Sequence, residues 1–315
     1  MFFVVCYNGH MRKTLLEQIV ENKENKFKQL NIKSVVVYDQ GKIQEHYFCD
    51  PDFFEIRSLT KVLTALAIGV AIDKGILTLE TEIYPIVKDL AEIKSSNVEK
   101  IKKWKIKHLL TYSCGFDKFI LSRKDINLND VEEKDFVSYV VNANLVGEAG
   151  QKYLYNNAET FLLSVVFQEL TKMNLADFLV ENVLKKIEAS QLVWKMYDKY
   201  FPGATGVSIL PKDLFNVGLL ILNKGKWKNK QIVSEEFVEQ MCSLQMETPY
   251  AAKKERVLPK NAVGFVFHIS RDGYVFKDGA NGQYLIINFE KKQLITIVSD
   301  ETDETKVLEI LRGVL

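Results

Sequence analysis

Cysteine and histidine are scarce in this 315-residue chain, with four of each. Cys6, Cys49, Cys114 and Cys242 form no Cys-x-x-Cys pair and no disulfide-rich spacing, which fits a reducing compartment. His10, His46, His108 and His268 are scattered and sit in no ligand motif, so no metal and no cofactor is expected. Excess charge is also missing. Lys and Arg number 42 against 41 Asp and Glu, and the net charge of +1 leaves no electrostatic footprint for nucleic acid. One local run, Lys100-Ile101-Lys102-Lys103-Trp104-Lys105-Ile106-Lys107, is basic, and it reads as a solvated surface. The longest apolar run, near Val62 to Ile72, is too short to span a bilayer. Phe2 to Cys6 is apolar but too short for a signal-peptide core and has no preceding positive charge. The expectation is a cytoplasmic protein with no membrane span. There is no internal repeat and no low-complexity linker.

The chain does have hydrophobic mass. Apolar residues make up 47% and aromatics 11%, enough for one large domain or two halves sharing a core. Met11 to Leu30 reads as one amphipathic helix. Ser34 to Tyr38 and Lys42 to Phe48 read as strands joined by the Asp39-Gln40-Gly41 turn. Helical periodicity runs from Ile76 to about Lys199, with helices over Phe161 to Leu170 and Leu175 to Ile187. Further helices are expected over Lys212 to Lys224 and, with Ser234 as cap, to Leu244. Strands return over Val263 to Ile269, from Tyr274, over Tyr284 to Phe289 and over Leu294 to Ser299, and Glu304 to Leu315 closes as a helix. Strands at both ends and helices between them predict one antiparallel sheet, built from the N- and C-terminal segments and flanked by helices, with an inserted all-α region. The expected division is 1–75 with 205–315 as an α/β sandwich domain and 76–204 as a helical domain, with the active site at their interface.

The stretch from Glu55 to Ala71 organises this plan. Leu59, Val62, Leu63, Leu66, Ala67, Val70 and Ala71 recur at helical spacing. Ser58 stands at the helix opening, where unpaired N–H groups and the dipole favour developing negative charge. Lys61, three residues on, shares its face. A lysine withdrawn from water can lose its proton near neutral pH and take the serine's. Ser58 as a plain N-cap and Lys61 as a solvated charge is the competing reading.

Two later stretches bear on that choice. In Tyr155-Asn156-Asn157, the phenol of Tyr155, as phenolate or through Lys61, can shuttle the serine proton to a leaving group. Asn157 can hold Lys61 and donate to a substrate carbonyl, or simply cap the next helix. In Phe276-Lys277-Asp278-Gly279-Ala280, a strand edge brings the Lys277 cation near the phenol, and Gly279 admits a substrate close to the backbone. The N–H groups of Ser58 and Ala280 can then form an oxyanion hole. The alternative there is a hairpin turn at Asp278-Gly279.

Ser-x-x-Lys, Tyr-x-Asn and Lys-x-Gly each occur once, in that order. With them the chain resembles the serine β-lactamase and penicillin-binding protein superfamily, in its class C-like branch. Supporting stretches are His108-Leu109-Leu110-Thr111-Tyr112-Ser113-Cys114-Gly115, Gly206 to Leu214, and Gly279-Ala280-Asn281-Gly282-Gln283-Tyr284. The resemblance runs from about Ser34 to about Ser299 and implies the β-lactamase/transpeptidase-like α/β fold. It implies Ser58 as acyl-accepting nucleophile, Lys61 with Tyr155 as the base pair, Asn157 as a substrate and lysine contact, and Lys277 as the cation of the third motif; Asp278 and Gly279 beside it are expected as further substrate-binding positions. It also implies a hydrolase of small esters, amides or D-amino-acid peptides. A non-catalytic or penicillin-recognising binding protein on the same fold is the alternative. Asp278 departs from the pattern, since relatives carry Ser or Thr there, or have His-x-Gly. A carboxylate beside Lys277 offsets its charge, so weak β-lactamase activity at most and a preference for neutral or cationic acyl groups are expected.

Overall fold

The computed structural model describes residues 13–20, 24–122, 135–189, 191–197, 199–250 and 257–315. Cys6, His10 and the start of the expected N-terminal helix lie outside them.

The frame is an eight-stranded antiparallel sheet. Its strands are β1 (Ile32–Asp39), β2 (Lys42–Tyr47), β8 (Met246–Glu247), β9 (Ala262–Val263), β10 (His268–Ile269), β11 (Val275–Gly279), β12 (Gln283–Asn288) and β13 (Gln293–Ser299), in the order β2-β1-β13-β12-β11-β10-β9-β8. The N-terminal hairpin thus docks on the last strand, with Val35 opposite Ile297 and Val37 opposite Ile295. The central strands read as nearly unbroken apolar runs because both faces are covered. Along β1, Val35 and Val37 face one layer and Val36 the other; Ile295 and Ile297 oppose Leu294 and Val298 in the same way along β13. One face packs on the terminal helices through Leu15, Ile19, Phe27, Val307 and Leu308. The other packs on the helical layers, where a single cluster of buried side chains joins Val36 and Val298 to Leu63, Leu110, Phe161 and Leu220.

The helix Thr60–Asp73 is buried from Thr60 to Ala71. An apolar surface all round fits a helix with packing partners on every side. The helices Ile106–Leu110 and Ala158–Thr171 pack together, and the second also packs on Thr60–Asp73. A small second sheet, β3 (Phe54–Glu55), β5 (Val207–Ile209) and β4 (Val193–Trp194), lies at the entrance to that helix. A remote hairpin, β6 (Lys226–Trp227) with β7 (Lys230–Gln231), completes the strands among the described residues.

Of the expected N-terminal helix the described residues hold Leu15–Val20 and Glu24–Gln29; Leu15 and Ile19 anchor the first segment to the sheet, and Phe27 the second. Two expectations need correction. The strand expected over Val263 to Ile269 is a hairpin: β9 and β10 pair with each other, with Val263 opposite His268. Its β-rich sequence hides a turn in which Val266 takes φ 59° and Gly264 N–H donates to Phe267 O at 3.0 Å. The closing helix spans only Glu304–Glu309.

Candidate active site

Ser58 is not an N-cap. It sits in a 3₁₀ turn, Arg57–Leu59, just before the helix Thr60–Asp73, and makes no capping hydrogen bond. Its side chain is half-buried while Lys61 is fully buried. Lys61 Nζ lies 3.2 Å from Ser58 Oγ, 2.7 Å from Asn157 Oδ1 and 3.0 Å from Ala204 O. Three oxygens therefore fix the amine against the serine. The segment carrying Ala204 is held in turn by Thr64 Oγ1, which donates to Gly203 O at 2.7 Å. Gly203 is required there: its φ is +65°, and a Cβ would stand 2.2 Å from Thr160 O.

Burial, and next the charge of Lys277, hold the Lys61 ammonium well below the ordinary lysine range. The charge of Asp278 acts in the other direction, to a smaller extent. Tyr155 is raised by burial, although its hydrogen bond with Ser58 opposes the rise. The phenol therefore keeps its proton at neutral pH, and of the two bases left open by the sequence the amine is the better acceptor. The Lys61 ammonium nitrogen stands 5.0 Å from the centre of the Tyr155 ring and that of Lys277 stands 4.5 Å from it. Tyr112, at φ 54°, brings a second ring within 5.7 Å of Lys277 Nζ. Burial brings Lys277 down to about 7.

Asn157 precedes the helix Ala158–Thr171, yet its side chain makes no cap. Oδ1 accepts from Lys61, and Nδ2 donates to Leu121 O at 2.7 Å. The capping falls to Asn156, missed in the sequence, whose Oδ1 accepts from Ala158 N–H at 3.3 Å and Ile120 N–H at 3.1 Å. Its Nδ2 donates to Lys118 O at 3.1 Å. Asn156 thus ties the 118–121 segment to the loop that carries Tyr155.

Glu159 was also missed. It is 1% exposed behind Lys61, and burial raises its carboxyl to about 8, so it is mostly protonated at neutral pH. A first-turn glutamate reads as a surface residue favoured by the helix dipole, and only its apolar neighbours hint otherwise.

From the sheet, β11 brings Gly279 against the nucleophile turn. A Cβ at 279 would stand 3.1 Å from Ser58 N and 3.0 Å from Ile56 O, so any larger residue would have to push the nucleophile turn back by a few tenths of an ångström. Ala280 lines the cleft beside Ser58. Lys277 and Asp278 take opposite faces. Lys277 pairs with Leu285, on the nucleophile side; Asp278 pairs with Tyr284, on the side of the terminal helices. The Asp278 carboxylate lies 2.6 Å from Lys260 Nζ and 3.4 Å from His268 Nε2. Burial alone would raise it, but Lys260, His268 and Lys277 hold it well below the usual carboxylate range. It acts on Lys277 electrostatically from across the strand, and it is not among the cleft-lining residues.

The cleft outside Ser58 measures about 510 Å³. Ser58, Asn157 and Ala280 form its inner end; Phe119, Leu121 and Tyr197 are apolar lining; Glu55, Arg57, Val193 and Lys195 form part of its outer wall. Among the described residues no cluster of three or more His, Cys, Asp or Glu is arranged to hold a metal, and no helix is long and apolar enough to cross a membrane.

The sheet, the inserted helices and a serine–lysine pair at their junction define a β-lactamase/transpeptidase-like fold. The chain belongs to the Beta-lactamase family, whose model it matches over residues 33–312. It is 24% identical over 142 residues to Protein flp of Staphylococcus aureus (strain MW2), a match covering 45% of this chain and 28% of that protein's length. Its fold is similar to the octameric penicillin-binding protein homologue from Pyrococcus abyssi, with TM-score 0.74, 16% identity, and 94% of this chain and 76% of that one covered. It is equally similar to EstCE1, a hydrolase with promiscuous acyltransferase activity, with TM-score 0.74, 13% identity, and 95% and 98% covered.

Proposed function

We propose that this protein is a serine hydrolase that cleaves an ester or amide through an acyl-enzyme on Ser58. The observation that carries the reading is Lys61, buried, fixed by Asn157 Oδ1 and Ala204 O, and 3.2 Å from Ser58 Oγ with its basicity depressed. A neutral amine so placed accepts the Ser58 proton as Oγ attacks the substrate carbonyl carbon. The carbonyl oxygen becomes an oxyanion facing the N–H groups of Ser58 and Ala280. As the bond to the leaving group breaks, Tyr155 O–H gives that group a proton and is resupplied from Lys61. Water then adds to the acyl-enzyme, its proton passing to the Lys61–Tyr155 pair. Ser58 leaves reprotonated, and the acid departs. In this scheme Lys277 supplies positive potential beneath the Tyr155 ring, and Asn157 orients both Lys61 and the substrate.

A hydrolase and a penicillin-binding protein homologue of the same fold are consistent with esters, amides or D-amino-acid peptides as the substrate class. The test is covalent. A fluorophosphonate probe should add its mass to the peptide carrying Ser58, and Ser58→Ala should abolish both labelling and turnover of p-nitrophenyl esters. Ser58 caps nothing, and Lys61 keeps Asn157 Oδ1 and Ala204 O as acceptors without the hydroxyl, so the variant should stay folded, which its melting temperature checks. Wild-type turnover by Ser58→Ala would overturn the assignment; failure of the wild type to label would favour a binding protein on this fold.

A further inference from the structure

The outer wall of the cleft carries charge that the acyl-transfer scheme does not use. In the small sheet Glu55 lies opposite Ser208, and Ser208 lies opposite Val193, so the three side chains form one row. Lys195 follows Val193 by two residues, the interval that returns an extended chain to the same face. All four line the cleft. Arg57, immediately before the nucleophile, completes the wall. Its φ is +51°, a left-handed conformation uncommon for non-glycine residues and concentrated at functional sites. A glycine would hold that backbone without strain, so the side chain itself needs a reason.

That reason is available in the charges. Arg57 Nη1 is paired with Glu55. Its Nε is buried and has no hydrogen-bond partner among the described residues. A guanidinium has five N–H donors in a fixed fork, so one carboxylate leaves donors for a second. Lys195 is exposed and has no ion pair among the described residues. Among the described lining residues, two cations stand against one anion, Glu55, which leaves one net positive charge. Val193 within that wall and Phe119 in the apolar lining are 60% and 41% exposed, so the same cleft that holds Ser58 also offers apolar surface. Asp278, on the strand that approaches the nucleophile turn, is engaged by Lys260 at 2.6 Å. Lys277 is fully buried and offers no exposed ammonium.

We propose that this cleft selects acyl substrates whose far end bears a carboxylate, joined to the scissile carbonyl by a short apolar chain, and that Arg57 and Lys195 read that anion. The proposal rests on the hydrolase reading for its chemistry but not for its binding. It replaces the preference for neutral or cationic acyl groups that the residue type at 278 suggests in the sequence.

The test compares p-nitrophenyl butyrate with mono-p-nitrophenyl glutarate, which extends the same linear chain to a terminal carboxylate, using the full chain. The ratio of kcat/KM, glutarate over butyrate, is read within each protein, so a general loss of activity cancels. The wild-type ratio should exceed one by about tenfold, the scale of one charge-assisted contact, and should fall with added salt. Lys195→Ala and Arg57→Gly should each bring it down about fivefold or more, and Lys195→Glu should invert it. A wild-type ratio at or below one, or a ratio unmoved by all three variants, overturns the proposal while leaving the hydrolase reading intact. Calorimetric titration of glutaramate supplies the arm that does not need turnover. Binding weakened by Lys195→Glu in a protein that hydrolyses neither ester would sustain the anion site and sink the hydrolase. Hydrolysis of both esters without glutaramate binding would do the reverse.

Discussion

Lys61 and Lys277 reach the same tyrosine from opposite layers of the molecule. One comes from the buried helix, where Ser58 Oγ, Asn157 Oδ1 and Ala204 O surround its nitrogen. The other comes from the sheet, where its nitrogen has no hydrogen-bond partner among the described residues and stands over the rings of Tyr155 and Tyr112. Both are fully buried, and both lose basicity to burial first. The difference is what each has within reach. Lys61 has a hydroxyl to deprotonate; Lys277 has only π faces and its own charge. Burial alone therefore does not assign a catalytic role to a lysine. The neighbouring acceptors do.

The comparison breaks most sharply at Lys61. Lys61→Met keeps the length and removes the amine, and kcat/KM should fall by about 10³-fold, within the range of general acid–base catalysis. Tyr155→Phe should follow at about 10²-fold, since only a hydroxyl is lost and water can relay part of the proton. Steady-state kinetics with a p-nitrophenyl ester, beside a circular dichroism spectrum for fold, measures both. A Tyr155→Phe enzyme within about a factor of two of wild type would remove Tyr155 from the proton path.

Lys277 sharpens the contrast through pH rather than through rate. The wild-type kcat/KM should rise with pH as Lys61 loses its proton, and the rise should be complete below the ordinary lysine range. Lys277 contributes to that depression by repelling a charged Lys61. Removing it in Lys277→Met raises the Lys61 pKa, so the ascending limb should move to higher pH. The two amines interact, so the limb belongs to the pair. A limb that stays in place would show that Lys277 does not act on Lys61 through charge.

The inner site was legible because its chemistry is tied to short motifs with fixed spacing. Ser58 and Lys61 share a face by helical period, and Gly279 announces a close approach that the structure puts at Ser58 N. The two faces of the sheet were legible in the apolar runs of β1, β12 and β13. The outer wall was not. Its strands are two or three residues long, too short for any period, and its row of side chains exists only through strand pairing, which brings Glu55 to Ser208 from more than a hundred residues away. Nor does a sequence show that Arg57 adopts φ +51°. The hairpin at Val263 to Ile269 was hidden by its own β-branched and aromatic residues, which favour a strand whether or not it turns. Asn156 was passed over because the motif reads the residues on either side of it.

The smallest expected effect on activity is at Asp278. The residue type suggests a carboxylate that repels anionic substrates, but strand alternation puts it beside Phe276 and Tyr284, with Lys260 at 2.6 Å. Asp278→Thr should therefore change the glutarate-to-butyrate ratio by no more than about a factor of two, as for a group that shares no direct partner with the substrate. Its effect should appear in stability instead. Lys260, only 18% exposed in its side chain, and His268, at 1%, lose the group between them. Breaking a nearly buried pair of this kind costs on the order of 1–3 kcal/mol. The sign with pH follows from the depressed carboxyl. Its stabilisation is present above the unfolded aspartate value and is lost as pH falls through the lower folded one. The wild type should thus melt above Asp278→Thr at pH 7, and the gap should narrow in acid, as Asp278 takes up its proton. A ratio that rises well beyond twofold, with melting temperatures that stay equal across that pH range, would return Asp278 to the substrate side of the strand.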